Sequence, residues 1–357
     1  MIDVENFDEL TLYLRATQRI DRTETPACRI LSGGVSNKTI LVARRNGEKW
    51  VIKQALPKLR VGSDWFSDPA RILVEANGLR YLPHLTPPGS ITPFVFEDRS
   101  QHLLAMAAVP EPHEIWKRRL LAGNIDKQYF QQFAQIIGSI HSESTKSWRQ
   151  LNPVFSNKQH FHTLRLEAYY EYTATVVPRA ATFLRDLARS TLSRADALVH
   201  GDASPKNVLV FHDHLILLDH EVLHIGDPGF DVGFSMTHFL SKALHLPKHR
   251  DQLLEAALYY WSVYLAKVSA MPWAADLSAR AARHTLGSLL ARVSGRSPLE
   301  YLAPEERLVQ RDIAIEMMNE EPATLEDVLT GFKQRILAQQ TPSLHRSSAA
   351  ADERCRL

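Results

Sequence analysis

A chain of 357 residues is long for one compact unit, so two lobes or domains are the natural expectation. Its 42 basic and 40 acidic residues nearly cancel to a formal charge of +2, and 45% of the chain is hydrophobic. That balance makes no electrostatic case for nucleic acid, and no apolar run is long enough to span a bilayer, so neither partner is expected.

Asp3 or Asn6 can cap a first helix reaching about Ala16, with Phe7, Leu10 and Leu14 on one face. Beyond Pro26 the pattern turns to short strands near 28–32, 37–44 and 49–54, with Asn46-Gly47 as a hairpin turn. "DPARILVEANGLRYL" then reads as a helix entered through Pro69, with Ile72, Leu73, Ala76 and Leu79 apolar. Two more strand candidates, "SITPFVFED" and "HLLAMAAV", complete a β-rich N-lobe, residues 1–108, that contains one main helix.

From about Pro110 the pattern is helical. "DKQYFQQFAQIIGSIHSES" repeats Phe130, Phe133, Ile137 and Ile140 at helical spacing. "HFHTLRLEAYYEYTATVV" and "AATFLRDLARSTL" are further helices divided near Pro178. A strand pair around Asn207 to Asp219 interrupts, and helices resume from about Gly233 to Leu337. The C-lobe is placed at 109–341, and the segment 342–357, small and charged without periodicity, reads as a disordered tail. Cys28 and Cys355 have no Cys or His companions, which argues against a disulfide framework or zinc site and fits a reducing, cytoplasmic setting.

The chemistry concentrates in "LVHGDASPKNVLV", Leu198 to Val210. Asp202 and Asn207 sit in a loop between two apolar strands, and Asp219 closes the next strand, "LILLD". A hairpin brings the start of one strand beside the end of the other, so Asn207 and Asp219 should be neighbours, with Asp202 on the adjoining loop. Phosphoryl transfer asks for this grouping: one carboxylate to orient and deprotonate a hydroxyl, and two further oxygens to hold Mg²⁺ against nucleotide phosphates. Asp202 is read as the catalytic base, and Asn207 and Asp219 as metal ligands. His200 is read as a loop support.

The N-lobe offers the complementary parts. "LSGGVSN" supplies Ser32, Gly33, Gly34, Ser36 and Asn37 as a turn whose backbone and hydroxyl donors can wrap phosphate oxygens. Lys53 lies on a strand and Glu75 on the following helix, the order an ion pair over the α- and β-phosphates requires. Backbone groups between Met106 and Ala108, where the lobes join, are candidates for reading an adenine edge.

Taken together, "GGVSN", "LVHGDASPKNVLV" and "LLDHEVLHIGDPGFDVG" resemble the aminoglycoside phosphotransferase and choline kinase superfamily of small-molecule kinases, over about residues 28–245. The resemblance implies an α+β, protein-kinase-like two-lobe fold, ATP and Mg²⁺ as cofactors, and a small hydroxyl-bearing acceptor. It matches Asp202 to the catalytic aspartate and Asn207 and Asp219 to the metal ligands, with Glu221 touching a metal or its water. Asp227 and Asp231 then brace loops. Within that superfamily, "VIKQALPKLRVGSDWFSDPARILVEA" is similar to the corresponding segment of methylthioribose kinases, which brings in Trp65 as a substrate candidate. The adjacent arginine pair of that subgroup is missing, since Arg292 is followed by Val293, and the metal segment reads Asp-His-Glu.

Helices after Gly233 should build the acceptor pocket, where His238 and Lys242 share a helical face. Arg165, Tyr169, Tyr170 and Arg292 are further candidates. The basic stretch "HFLSKALHLPKHR" ranks a sugar, a neutral polyol or an acidic metabolite above a polycationic aminoglycoside. A protein kinase is disfavoured because the only Ala-Pro-Glu, at Ala303, falls far past Asp219. A catalytically silent nucleotide-binding pseudokinase is the remaining alternative, opposed by the joint presence of Lys53, Asp202, Asn207 and Asp219.

Overall fold

The computed structural model describes residues 1–31, 34–62 and 64–340, so the readings placed on Ser32, Gly33 and the segment 342–357 lie outside the described residues. Helix α1 (Phe7–Ala16) precedes a five-stranded antiparallel sheet: β1 (Ala27–Ile30), β2 (Asn37–Ala43), β3 (Lys49–Ala55), β4 (Phe94–Asp98) and β5 (Leu103–Ala107). Its order is β1-β2-β3-β5-β4, with α2 (Arg71–Tyr81) inserted between β3 and β4.

Alternation along the strands decides what each face of this sheet does. Trp50 and Ile52 of β3, and Leu103 and Ala105 of β5, join Leu10 and Leu14 of α1 in one buried cluster. The alternate positions Leu104 and Met106 join Ile72, Ala76 and Leu79 of α2 and the larger core beyond. Burying Ile52 under α1 therefore sends Lys53 to the face that α2 covers. Asn6 caps α1, accepting from Glu9 N–H at 3.2 Å. Phe7, expected on the buried face, is instead 36% exposed. The face turns toward Tyr13, whose hydroxyl donates to Asp98 at 2.7 Å.

The second lobe begins with β6 (Glu114–Ile115), α3 (Trp116–Leu121), α4 (Lys127–Lys146) and α5 (Trp148–Phe155). A continuous helical stretch follows: α6 (Gln159–Phe161), a π-helical run (His162–Glu171) and α7 (Tyr172–Val176). Then come α8 (Ala181–Ser193), β7 (Ala197–Val199), β8 (Val208–Phe211), β9 (His214–Leu217) and β10 (His224–Gly226). The lobe closes with α9 (Pro228–His245), α10 (Arg250–Val268), α11 (Leu277–Ser294), α12 (Pro304–Glu320) and α13 (Leu325–Gln340). Phe130, Phe133, Ile137 and Ile140 of α4 are fully buried. Helix α9 is buried on every side, as a central helix must be. It approaches α11 so closely that a Cβ on Gly233 would stand 2.5 Å from the Cβ of His284. No helix of the described residues is long and apolar enough to cross a membrane.

β8 and β9 form a hairpin whose turn residues, His212 and Asp213, both have positive φ, 46° and 60°. That twist suits a two-residue connection between right-twisting strands. β7 pairs with β10 and β6 with β8, so the loop 200–207 is anchored at both ends by backbone ladders.

At the head of α9, Asp227 accepts from Gly229 N–H at 2.8 Å and pairs with Arg280 and His284. Burial works against the charge of this carboxylate, yet His284 and Arg280 hold its pKa down to about 2. A depressed carboxylate stabilises the fold above its ordinary pKa, and that stabilisation is lost as pH falls through the folded value. Asp227→Asn is therefore expected to cost about 2 kcal/mol near neutral pH, a deficit that shrinks between pH 4 and about 2. Urea unfolding at a series of pH values measures this; a deficit independent of pH would contradict it.

Candidate active site

The loop after β7 is held by one buried carboxylate. Asp231, in the first turn of α9, accepts from His200 N–H at 2.7 Å and Gly201 N–H at 2.8 Å, and meets His141 Nε2 at 3.1 Å. Gly201 has φ of +77°, and a Cβ there would stand 2.9 Å from Val222, so glycine is required on both counts. His200 and His220, 3.1 Å apart between ring nitrogens, both have pKa values lowered by burial.

This bracing delivers Asp202 beside Asn207, whose Nδ2 donates to the Asp202 carboxylate at 2.7 Å and to its carbonyl at 3.1 Å. With its NH₂ committed to Asp202, the Asn207 amide oxygen faces away and is left for another partner. The Asp202 carboxylate also meets Arg165 Nη2 at 2.8 Å, while Arg165 Nε donates to Gly201 O at 2.8 Å. Arg165 projects from the π-helical run, a helix variant often found at functional sites.

Across the hairpin, Leu218 N–H donates to Asn207 O at 2.9 Å, and Asp219 follows with φ of 67°. A non-glycine residue in the left-handed region costs on the order of 1 kcal/mol, so something must hold it there. Its carboxylate lies 3.1 Å from Lys53 Nζ, which lies 2.6 Å from Glu75. One ammonium from the N-lobe sheet thus joins the N-lobe helix to the C-lobe hairpin.

Electrostatics follow from this crowding. Burial raises the Glu75 carboxyl against the pull of Lys53. Burial opposes the charge on Lys53 too, but Glu75 and Asp219 outweigh it and raise its pKa. Asp219 is lowered, because Lys53, Lys206 and Arg165 overcome the effect of burial.

A second cross-lobe link centres on Arg71 of α2, which is fully buried. Its Nε binds Glu221 at 3.1 Å, and its other nitrogens donate to the carbonyls of Ser36, Leu56 at 2.9 Å, and Ser67 and Asp68 at 3.2 Å. Asn37 Nδ2 also donates to Glu221, at 3.2 Å, and to Ser36 Oγ at 3.1 Å. The structure therefore places Glu221, Ser36 and Asn37 in one network at the start of β2, while Gly34 is exposed. Sequence reasoning missed Arg71; the signal was an arginine one turn before Glu75 on the apolar helix face.

Other expected residues sit elsewhere. Trp65 is 4% exposed, its indole donating to Thr163 O at 3.2 Å, so it pins the N-lobe loop to the π-helical run. Met106 is buried in β5; Ala107 N–H is taken by Pro93 O and Ala108 N–H by Lys49 O. Those two amides are therefore not free to read a base, and Val109 N–H is the next donor along. His238, Lys242 and Arg292 gather with one another, separated from Asp202 by the Tyr169 ring. A surface hollow lined by Thr145, Trp148, Arg194 and Trp273 contains none of these residues.

Residues 27–265, more than half of the chain, match the model of the phosphotransferase enzyme family, and the chain belongs to that family. It is similar to methylthioribose kinase 2 of Oryza sativa subsp. japonica, at 24% identity over 70% of this chain and 66% of the relative. The methylthioribose kinase of Yersinia pseudotuberculosis serotype O:3 (strain YPIII) is 23% identical over 62% of each chain. The chain thus spans slightly less than two thirds of these relatives' lengths. Among solved structures, choline kinase from Cryptosporidium parvum Iowa II superposes with a TM-score of 0.55 at 11% identity, covering 92% of this chain and 99% of that one. An amicoumacin kinase in complex with AMP-PNP, Ca²⁺ and Ami gives 0.55 at 14% identity, covering 90% and 96%. The fold is the kinase-like α+β one, with a β-sheet N-lobe and a mostly helical C-lobe.

Removing the Arg71 guanidinium takes from Glu221 its cationic partner, leaving Asn37 as a neutral donor, and takes one donor from each of four carbonyls. Arg71→Met is expected to lower the unfolding free energy by about 3 kcal/mol, as breaking a buried pair does. Chemical denaturation measures it; a loss below about 1 kcal/mol, the worth of a surface pair, would mean the network carries little.

Proposed function

We propose that this member of the phosphotransferase enzyme family transfers the γ-phosphoryl group of ATP, with Mg²⁺, to a hydroxyl of a small molecule. One observation carries the reading: Asp202, Asn207, Asp219 and the Lys53–Glu75 pair meet where the two lobes face each other. Lys53, fixed by Glu75, is positioned to bind the α- and β-phosphates. The turn containing Gly34, Ser36 and Asn37, held from below by Arg71, covers them. Base recognition falls to the segment just past β5, beginning at Val109, since the amides of Ala107 and Ala108 are already bonded.

Asn207 and Asp219 fit Mg²⁺, because both offer hard oxygens. Among the described residues no group of three His, Cys, Asp or Glu side chains forms a cage. A cation that prefers few protein oxygens plus phosphate and water suits such a pair. When bound, Mg²⁺ supplies neutralisation of charge on the transferring phosphoryl group. Glu221, already engaged by Arg71 and Asn37 through Oε2, is a support for this pair more than a ligand.

Asp202 acts on the acceptor. Arg165 and Asn207 fix its carboxylate at 2.8 and 2.7 Å, so a hydroxyl hydrogen-bonded to it is aimed along one direction. A loose phosphoryl transition state demands little deprotonation, so Asp202 works mainly by orientation. The acceptor side is lined with cations, which favours a sugar, polyol or acidic metabolite over an aminoglycoside. Methylthioribose stands first among sugars to try.

Asp202→Ala is expected to lower turnover by at least about 100-fold while nucleotide affinity changes little. Rates of ADP release and calorimetric nucleotide binding check this, and near-normal turnover would remove Asp202 from the reaction. Lys53→Met is expected to raise the KM for ATP and lower kcat together. Chelating divalent cations should abolish ADP release and added Mg²⁺ restore it; full activity without any metal would contradict the assignment of Asn207 and Asp219.

A further inference from the structure

A second polar group lies one tyrosine ring from Asp202. The guanidinium of Arg165, which binds Asp202, sits 5.8 Å from the centroid of Tyr169, and that of Arg292 sits 5.5 Å from the same ring. Tyr169 stacks on Phe234 at 5.9 Å, and Phe234 meets the His238 ring edge-on at 4.9 Å. One turn further along α9 comes Lys242.

Lys242 is fully buried, and its ammonium donates to His238 O, in its own helix, at 3.1 Å. No carboxylate lies within ion-pair distance of it among the described residues. The acid that acts on it electrostatically, Glu300, has a side chain 68% exposed and is paired with Lys117. Near this ammonium, His238 Nε2 and Arg292 Nε are buried without a hydrogen-bond partner, while the hydroxyls of Ser241 and Tyr301 face each other. The Tyr301 ring is flanked by two ammoniums, Lys242 at 5.2 Å and Lys117 at 5.6 Å.

Leaving one buried polar group unpaired is costly, and leaving a buried cation without a counter-charge is more so. Here both occur together, on α9 and α11. Burial and Lys117 pull the pKa of Lys242 down to about 7, which is what a missing anion does to an ammonium. The unpaired groups are mostly donors, so what completes them is rich in acceptors and negatively charged.

We infer that the acceptor carries a carboxylate or phosphate group, bound by Lys242, His238 and Arg292 with help from Ser241 and Tyr301, while its hydroxyl reaches Asp202. This rests on the phosphotransfer reading above and narrows its acceptor to a small anionic alcohol. This cluster and Asp202 lie on either side of one aromatic ring, so the acceptor is compact. Lys242, His238 and Arg292 are then the residues that set specificity.

The test uses the full chain with saturating ADP, so that anions do not occupy the nucleotide site. Thermal unfolding is followed with glycerol, D-glycerate, sn-glycerol 3-phosphate and D-gluconate at equal ionic strength. At least one acid should raise the wild-type melting temperature by several degrees where glycerol does not, and the shift should vanish in Lys242→Met. Methionine fills the same buried space; should that variant not fold, Arg292→Gln reads the same difference. Carboxylate against phosphate is decided by which acid acts. In ADP-release assays the effective acid should exceed its neutral counterpart at least tenfold in kcat/KM. Equal thermal response in wild type and variant, or no response to any acid, overturns the inference even if neutral alcohols are phosphorylated. A Lys242-dependent response in a protein that neither binds ADP nor turns over overturns the phosphotransfer reading instead.

Discussion

The organisation of this protein depends on one buried ammonium. Lys53 reaches from the N-lobe sheet to Glu75 on the N-lobe helix and to Asp219 on the C-lobe hairpin, at 2.6 and 3.1 Å. A charge buried between lobes is tolerated only when its partners surround it, so this contact fixes how the lobes face. It also explains why Asp219 accepts a φ of 67°: the turn aims its carboxylate across the interface instead of along the strand. The Arg71–Glu221 pair repeats the arrangement beside it, from the preceding turn of the same helix.

Around that contact the C-lobe behaves as a rigid mount. Asp231 holds the backbone of His200 and Gly201, β7 and β10 clamp one end of the loop, and β6 and β8 the other. Preorganisation of this kind lets a few oxygens act without reorganising at the moment of transfer. The π-helical run adds Arg165 from the outside, and Tyr169, on the same run, carries the connection onward to Arg292. On the proposed reading, positioning of the phosphate donor and recognition of the acceptor would share one continuous set of side chains.

Much of the architecture was legible in the sequence because the periodicities are strong. Alternation in "KWVIKQA" places Trp50 and Ile52 on one face and Lys53 on the other, and the 3.6-residue repeat in α4 places Phe130, Phe133, Ile137 and Ile140 in the core. The convergence of Asn207 with Asp202, and the pairing of Lys53 with Glu75, follow from hairpin geometry and element order, both of which are local or topological rules. The reach of Lys53 to Asp219, 166 positions away, does not. What stayed hidden is long-range. Strands β6 and β10 span two or three residues, too short for any pattern. Arg71 looks like a surface residue until Glu221, 150 positions away, is brought to it. Trp65 reads as a ligand-facing aromatic, whereas its indole closes the seam to Thr163, a contact that depends on the π-helical run. Phe7 obeys the helical repeat and is still 36% exposed, while Tyr13 of the same helix is buried.

The central claim is that Asn207, Asp219 and Lys53 form a single seat for a metal–triphosphate. A crystal structure of the chain with Mn²⁺ and AMP-PNP tests it most directly, since the anomalous signal of manganese locates the ion independently of the nucleotide. The account predicts an anomalous peak at about 2.0–2.4 Å from the Asn207 amide oxygen and an Asp219 carboxylate oxygen, with Lys53 on the phosphates. A nucleotide bound with its ion held by other residues, and the Lys53–Asp219 contact unchanged, would contradict it.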